Sequence, residues 1–218
     1  MTPPNLPREI DSLIITYTSR QHAFKDDYER RLIQWYACIE CTDDDGESVE
    51  EVGYILAYTV DFEEMSDPFS LLDAETADLG HIAGVLFDPS TGELVDELDD
   101  LIEPFGSGVL IIDSVRLKQP WRGHGVGPLV VGMAIQQLGE GRRMTVLRAA
   151  PTERRNSSGE VVERSTDADR AVAVAKLGAL WSQLGFEHVR DEVWVLDHSL
   201  TTFSQAMQEI RRRFGLGS

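Results

Sequence analysis

The segment from Val109 to Gly127 constrains this chain more than any other. Val109-Leu-Ile-Ile112 is a continuous apolar run, the pattern of a strand buried on both faces. Polar residues enter at Asp113, and Val115, Arg116 and Leu117 carry the strand to its end. Trp121-Arg-Gly-His-Gly-Val-Gly127 follows, too rich in glycine to continue a strand. Beyond it Val131, Ala134, Ile135 and Leu138 recur at i, i+3, i+4 and i+7, the stripe of an amphipathic helix. A buried strand that turns through glycines into a helix is a unit of an α/β domain.

The remaining elements fit one such domain. Residues 1–11 hold Pro3, Pro4 and Pro7 and read as an irregular arm. Strands are expected at 12–18, 32–41 and 49–62, the last two joined as a hairpin by the acidic turn Thr42-Asp-Asp-Asp-Gly-Glu47. The polar stretch from Gln21 to Arg30 is too short for two helices. Residues 66–103 show helical spacing interrupted at Gly80, Gly84, Pro89 and Gly92, giving one or two short helices and a loop. A strand from Met144 to Ala150 leads to a polar loop over 152–167. A helix then starts near Thr166 and runs to Leu184, with Gly185 placed for a left-handed C-cap. Val193-Trp-Val-Leu196 is the last strand. Residues 12–198 thus form the domain, and 199–218 a C-terminal helix packed on or extending it, ending in Arg211-Arg212-Arg213.

Charge and cysteine content narrow the functional classes. Thirty-eight acidic against 20 basic residues give a net charge of -18, a surface that repels a phosphate backbone and attracts cations. Nucleic acid is therefore excluded as a partner. Two cysteines support no disulfide scaffold and suit a reducing compartment. No apolar run approaches the roughly 20 residues that span a bilayer, and the N-terminus lacks a signal-peptide pattern. The expected location is cytoplasmic, with no membrane association. Cys38-Ile-Glu-Cys41 lies in a strand, where i and i+3 face opposite sides, and the five histidines are scattered, so no metal site is expected.

The glycine turn has a chemistry of its own. Glycines permit positive φ and close approach of a ligand. The first helical N–H groups lack partners and carry the positive end of the helix dipole, which together suit a pyrophosphate. Arg122 adds a charge-assisted donor. No Gly-Lys-Ser/Thr follows for a nucleoside triphosphate loop, and Leu129 and Val130 break the dinucleotide spacing.

Arg122-Gly-His-Gly125-Val-Gly127 resembles the Arg/Gln-x-x-Gly-x-Gly/Ala signature of the GNAT superfamily of acyl-CoA-dependent N-acyltransferases. Ala179-Leu-Trp-Ser-Gln-Leu-Gly-Phe186 is similar to that family's later helix, and the two motifs stand in the family's order. The resemblance covers about 109–196. It implies a mixed, mostly antiparallel central sheet, splayed at the cofactor site and flanked by helices. It implies acetyl-CoA as co-substrate, held by Val115, Arg116 and Leu117 along the pantetheine and by Arg122, Gly123, His124, Gly125, Val126 and Gly127 at the pyrophosphate. It implies direct acetyl transfer to the amino group of a small, cationic acceptor, and a homodimer is an expectation from the resemblance alone.

Departures bear on catalysis. Trp181 stands where many members carry a tyrosine acid, and Val174 where an asparagine is common. An indole N–H cannot supply a proton at useful pKa. The helices that wall the acceptor between strands one and two have no room here. An alkylamine with a pKa near about 10.4 is nucleophilic in roughly one molecule per thousand at neutral pH, so a base is required. Asp113, on the strand leading to the turn, is the candidate base, and Ser182 the candidate proton donor to the thiolate. The alternatives are a non-catalytic acyl-CoA-binding or scaffold protein with a degenerate acceptor site, and an enzyme acting on a protein lysine or N-terminus.

Overall fold

The computed structural model describes residues 6–20, 32–61, 67–150, 154–155, 161–163 and 167–216. Its strands are β1 (Leu13–Arg20), β2 (Leu32–Thr42), β3 (Ser48–Val60), β4 (Val109–Leu117), β5 (Met144–Arg148), β6 (Arg154–Arg155), β7 (Val161–Glu163), β8 (Glu187–Arg190) and β9 (Val193–Asp197). The helices are α1 (Pro68–Glu75), α2 (Ala77–Leu86), α3 (Asp96–Leu101), α4 (Val126–Leu138), α5 (Asp167–Trp181) and α6 (Thr202–Arg213). Seven strands form one sheet in the order β1-β2-β3-β4-β5-β9-β8. Every neighbour is antiparallel except β4 and β5, which are parallel and joined through α4. The expected mixed, mostly antiparallel α/β sheet is what the chain builds.

Each face of the sheet buries its own core. Leu110, Ile112 and Leu147 face α4 and α6, together with Val126, Val130, Trp181, Met207 and Phe214. Val109, Ile111, Met144 and Val146 face α1, α2 and α3, with Leu72, Leu79, Ile82 and Leu98. The alternation 109/111 against 110/112 is the two-residue period of a strand covered on both sides, hence its unbroken apolar sequence. Along α4, Met207 lies on Gly132 and Phe214 on Gly125, so α6 runs antiparallel to it. Among the described residues no helix is long and apolar enough to cross a membrane.

Several sequence expectations are corrected. Residues 66–103 hold three helices, because Thr76 both ends α1 in extended conformation and caps α2, its hydroxyl accepting from Leu79 N–H at 3.1 Å. Gly80 and Gly84 lie inside α2 and break nothing. A Cβ on Gly80 would stand 2.3 Å from Asp73 Oδ1, so glycine there lets α1 pack close. The strand β8 was not legible. It joins β9 through Asp191-Glu192, both at positive φ, without the Asn-Gly that usually marks such a two-residue turn. In the expected loop over 152–167, β6 and β7 pair as a short ribbon and Asp167 already opens α5. The rest of that loop, and the stretch from Gln21 to Arg30, lie outside the described residues. Leu6 and Ile10, from the arm, pack against the core, and Ile10–Ser12 forms a 3-10 turn.

Candidate functional site

The site begins where β4 and β5 part. Their parallel pairing runs from Val109 opposite Met144 to Ile112 opposite Leu147 and stops. Among the described residues no strand pairs with the β5-facing edge of β4 from Asp113 to Leu117. On its other edge β4 keeps β3 but changes register: Ala57 lies opposite Ile112 and Leu56 opposite Ser114, leaving Asp113 as the extra residue of a bulge. Ile112 and Val115, three apart, accordingly pack on the same face. Gly53 lies opposite Leu117, where a Cβ would be 2.1 Å from the Arg116 carbonyl oxygen, so only glycine lets the end of β4 lie there.

The glycine turn closes one side of this opening. A 3-10 turn over Gln119–Trp121 buries Trp121, whose indole N–H donates to Glu50 Oε1 at 3.1 Å. Arg122 Nε then donates to the Leu117 carbonyl at 2.6 Å, tying the turn to the strand it leaves. Gly123 and Gly125 take φ of +80° and +82°, conformations in which a side chain is strained. Gly125 is the N-cap of α4, with no side chain capping the helix and no acid in its first turn. Its free N–H groups and dipole make an anion site. Gly127 is different. It sits in the helix without positive φ, and a Cβ there would meet nothing within 4 Å. Neither backbone strain nor packing among the described residues calls for glycine, which costs up to about 1 kcal/mol against alanine in a helix.

On the opposite face, toward α2, charges from distant parts of the chain converge. Arg148, the last residue of β5, donates to Asp78 Oδ1 at 2.7 Å and pairs with Glu192 Oε2 at 3.0 Å. Arg170, on α5, donates to the same Glu192 at 2.7 Å. These pairs hold the Asp191-Glu192 turn and the N-terminal turn of α2 against the end of β5. Asp113 adjoins this group. Its carboxyl is raised from 3.8 to about 6, first by burial and then by the negative charge of Asp78. Among the described residues no donor hydrogen-bonds to it. Tyr58, buried on β3, accepts from Gln34 Nε2 at 2.7 Å; burial raises its pKa, and the Asp113 charge raises it further.

The predicted residues thus separate into two groups. Val115 and Leu117 are half-buried against the α4 core, Arg116 is exposed, and Val126 is fully buried, so it can offer a ligand only its backbone N–H. His124 is half-buried between the two positive-φ glycines. Arg122 through Gly127 and the open edge of β4 are brought together. Ser182 is not brought to Asp113. It lies past the far end of α5 from Arg170, about 18 Å along the helix, exposed, with its hydroxyl donating to the Gly178 carbonyl at 3.0 Å. Trp181 beside it is buried in the core. Sequence reasoning missed Asp78, Arg148, Arg170 and Glu192, which carry no motif and meet only through folding.

No family model matches the chain, and no curated protein matches it. Among solved structures it is similar to a tyrosine-to-phenylalanine mutant of the AtaT toxin bound to the C-terminus of the antitoxin AtaR and acetyl-CoA. That likeness has a TM-score of 0.36 and 11% identity, and covers 94% of this chain and 99% of that one. It is also similar to AtaTR bound with acetyl-CoA, with a TM-score of 0.37 and 12% identity over the same shares. Likenesses of that size carry no argument about what this chain does.

Proposed function

We propose that the chain is an acyl-CoA-dependent N-acetyltransferase of the GNAT superfamily, transferring an acetyl group directly to the amine of a small cationic acceptor. One observation carries this reading: Gly127 leaves open space at an uncapped helix N-terminus that opens beside the parted strands. Room that the protein itself does not use is room for a ligand, and the donors around it suit a diphosphate.

Acetyl-CoA, when bound, supplies an acetyl thioester. The residues divide the remaining work. The N–H groups of Gly125, Val126 and Gly127 and the guanidinium of Arg122 hold the diphosphate, and the open edge of β4 from Asp113 to Leu117 offers backbone partners to the pantetheine amides. Asp113 accepts a proton from the acceptor's ammonium, and the neutral amine so freed attacks the thioester carbonyl. A carboxyl at about 6 is charged at neutral pH yet more basic than an ordinary one, which suits this task. Among the described residues Asp78 and Glu192 pair with Arg148 and Arg170, and with Asp113 beside Asp78 the group has one negative charge in excess, which a cationic acceptor balances. As the nitrogen–carbon bond forms, the carbon–sulfur bond breaks; a thiolate of pKa near about 8.5 can take its proton from water. Ser182 serves as donor only if its bond to Gly178 is released.

Thiol release from acetyl-CoA, followed with a panel of amines, polyamines and short peptides beside calorimetry of the cofactor, tests the proposal. Amine-dependent release in the native protein and none in Gly127→Trp supports it. Binding without turnover on any acceptor supports instead the acyl-CoA-binding protein, a reading that buried Trp181 in place of a phenol favours. Absence of binding overturns both.

A further inference from the structure

The seven-stranded sheet ends in two edges that are built differently. β8 is four residues long, carries Glu187 and Arg190, and shifts register against β9 between His188 and Arg190. Shortness, charge and irregular register are devices that keep an exposed edge from pairing with another chain. β1 has none of them. It is eight residues long, runs beside β2 without a break from Leu13 to Arg20, and holds no proline. From Ser12 to Ser19 it carries no charged residue, in a chain of net charge -18. Among the described residues no strand pairs with its outer edge. The described part of the arm leaves that edge free as well: Leu6 and Ile10 pack on the α4 core, and Arg8 reaches across to Glu50 of β3 at 3.3 Å.

The side chains of β1 add a second observation. Leu13, Ile15 and Tyr17 are half-buried on the α4 core, whereas Ile14 is 45% exposed and Thr16 and Thr18 are exposed on the other face. Tyr36, opposite Thr18 on β2, is 43% exposed, and its ring stacks on Tyr54 of β3 at 5.5 Å between centroids. An apolar patch thus borders the open edge on the face where polar residues would be expected.

We infer that β1 pairs antiparallel with β1 of a second copy about a two-fold axis at Thr16, joining the two sheets into one. Residues directly opposite in an antiparallel pair point to the same face, so between identical strands odd positions meet odd and even meet even. Centring on Thr16 uses the whole charge-free run: Leu13 meets Ser19, Ile14 meets Thr18 and Ile15 meets Tyr17. Ile14 of the second copy then lies on the row of Thr18 and Tyr36, so two exposed apolar side chains meet over a small one. Asp11, just before the strand, comes to the end of the second copy's strand where Arg20 stands, so the flanking charges are complementary. Two chains of net charge -18 repel, and a charge-free seam is where they can meet; salt strengthens such a contact by screening the rest.

Light scattering of the full chain over about 1–100 μM protein tests this. The native protein is expected at twice its chain mass of 24.4 kDa, with the dimer tightening as salt is raised. Thr16→Lys places like charges opposite one another at the axis and should weaken the dimer about tenfold, as should Thr16→Glu. Mixing the two variants should restore a mixed dimer, because position 16 meets itself. Glu187→Lys, on the other edge, should leave the dimer as it is. Thr16 and Glu187 are exposed, so the variants keep the fold, which circular dichroism verifies. A native protein that is monomeric at the highest concentration overturns the inference. So does a dimer that Thr16→Lys leaves intact, one that the mixture fails to restore, or one that Glu187→Lys breaks. None of these outcomes touches the acyl-CoA reading, since β1 lies three strands from β4.

Discussion

The two faces of the sheet build their halves of the candidate site in opposite ways. On the α4 face the parts are contiguous: strand end, 3-10 turn, three glycines and helix N-terminus follow one another from Asp113 to Gly127, and backbone groups make up most of it. On the α2 face the parts are side chains from α2, β4, β5, α5 and the β8–β9 turn, held by ion pairs over long sequence separations. A backbone site tolerates variation in side chains and is intolerant of bulk. A side-chain site has the reverse sensitivity.

That contrast can be broken most directly at Gly127. Gly127→Trp fills space empty of protein, so the melting temperature should hold while affinity for acetyl-CoA falls more than about a hundredfold, read by calorimetry. If affinity survives, the turn is packing and the α4 face binds nothing there. Asp113→Asn should act on the other half alone. Turnover is expected to drop about 10²–10⁴-fold, with cofactor affinity unchanged. With Asp113 as the proposed base, kcat/KM of the native protein should rise with pH through about 6 and level above it, as this carboxyl loses its proton.

The same carboxyl makes a stability prediction with a definite sign. Because folding raises its pKa from 3.8 to about 6, the folded state holds the proton more tightly. Stability from this source is fully present below 3.8 and is lost as pH rises through about 6. Asp113→Asn should therefore be more stable than the native protein at neutral pH, by about 1–2 kcal/mol after allowing for partial solvent screening, with the difference vanishing in acid. Denaturant titrations at two pH values measure it.

Arg148→Met sharpens the comparison further. It leaves Asp78 and Glu192 without their shared guanidinium, costing about 2 kcal/mol of stability, and should move the midpoint of the pH–rate profile upward as repulsion on Asp113 grows. A mutant with an unmoved midpoint would disconnect Arg148 from Asp113. The smallest effect is expected from Ser182→Ala. With its hydroxyl turned to Gly178 and its position at the far end of α5, turnover should change less than about twofold, and a large loss would put the thiolate proton on Ser182 after all.

Asp113 shows where sequence reading reaches and stops. Its place on the strand that leads to the glycines was legible from the apolar run before it and the turn after it. Its bulge was not, because a register change is a property of two strands and nothing in Leu56-Ala57 announces it. Nor was its neighbour Asp78, which α2 brings beside it from 35 positions away and whose charge adds to the effect of burial on its carboxyl.

Local information therefore determined the elements and one half of the candidate site. Glycine's freedom at positive φ, the free N–H groups of a first helical turn and the period of buried residues are all set within a few positions along the chain. The other half belongs to tertiary structure alone. A carboxyl's proton affinity is set by burial and by which charges end up beside it, and Asp78, Asp113, Arg148, Arg170 and Glu192 become neighbours only after the sheet has formed and the helices have packed against it.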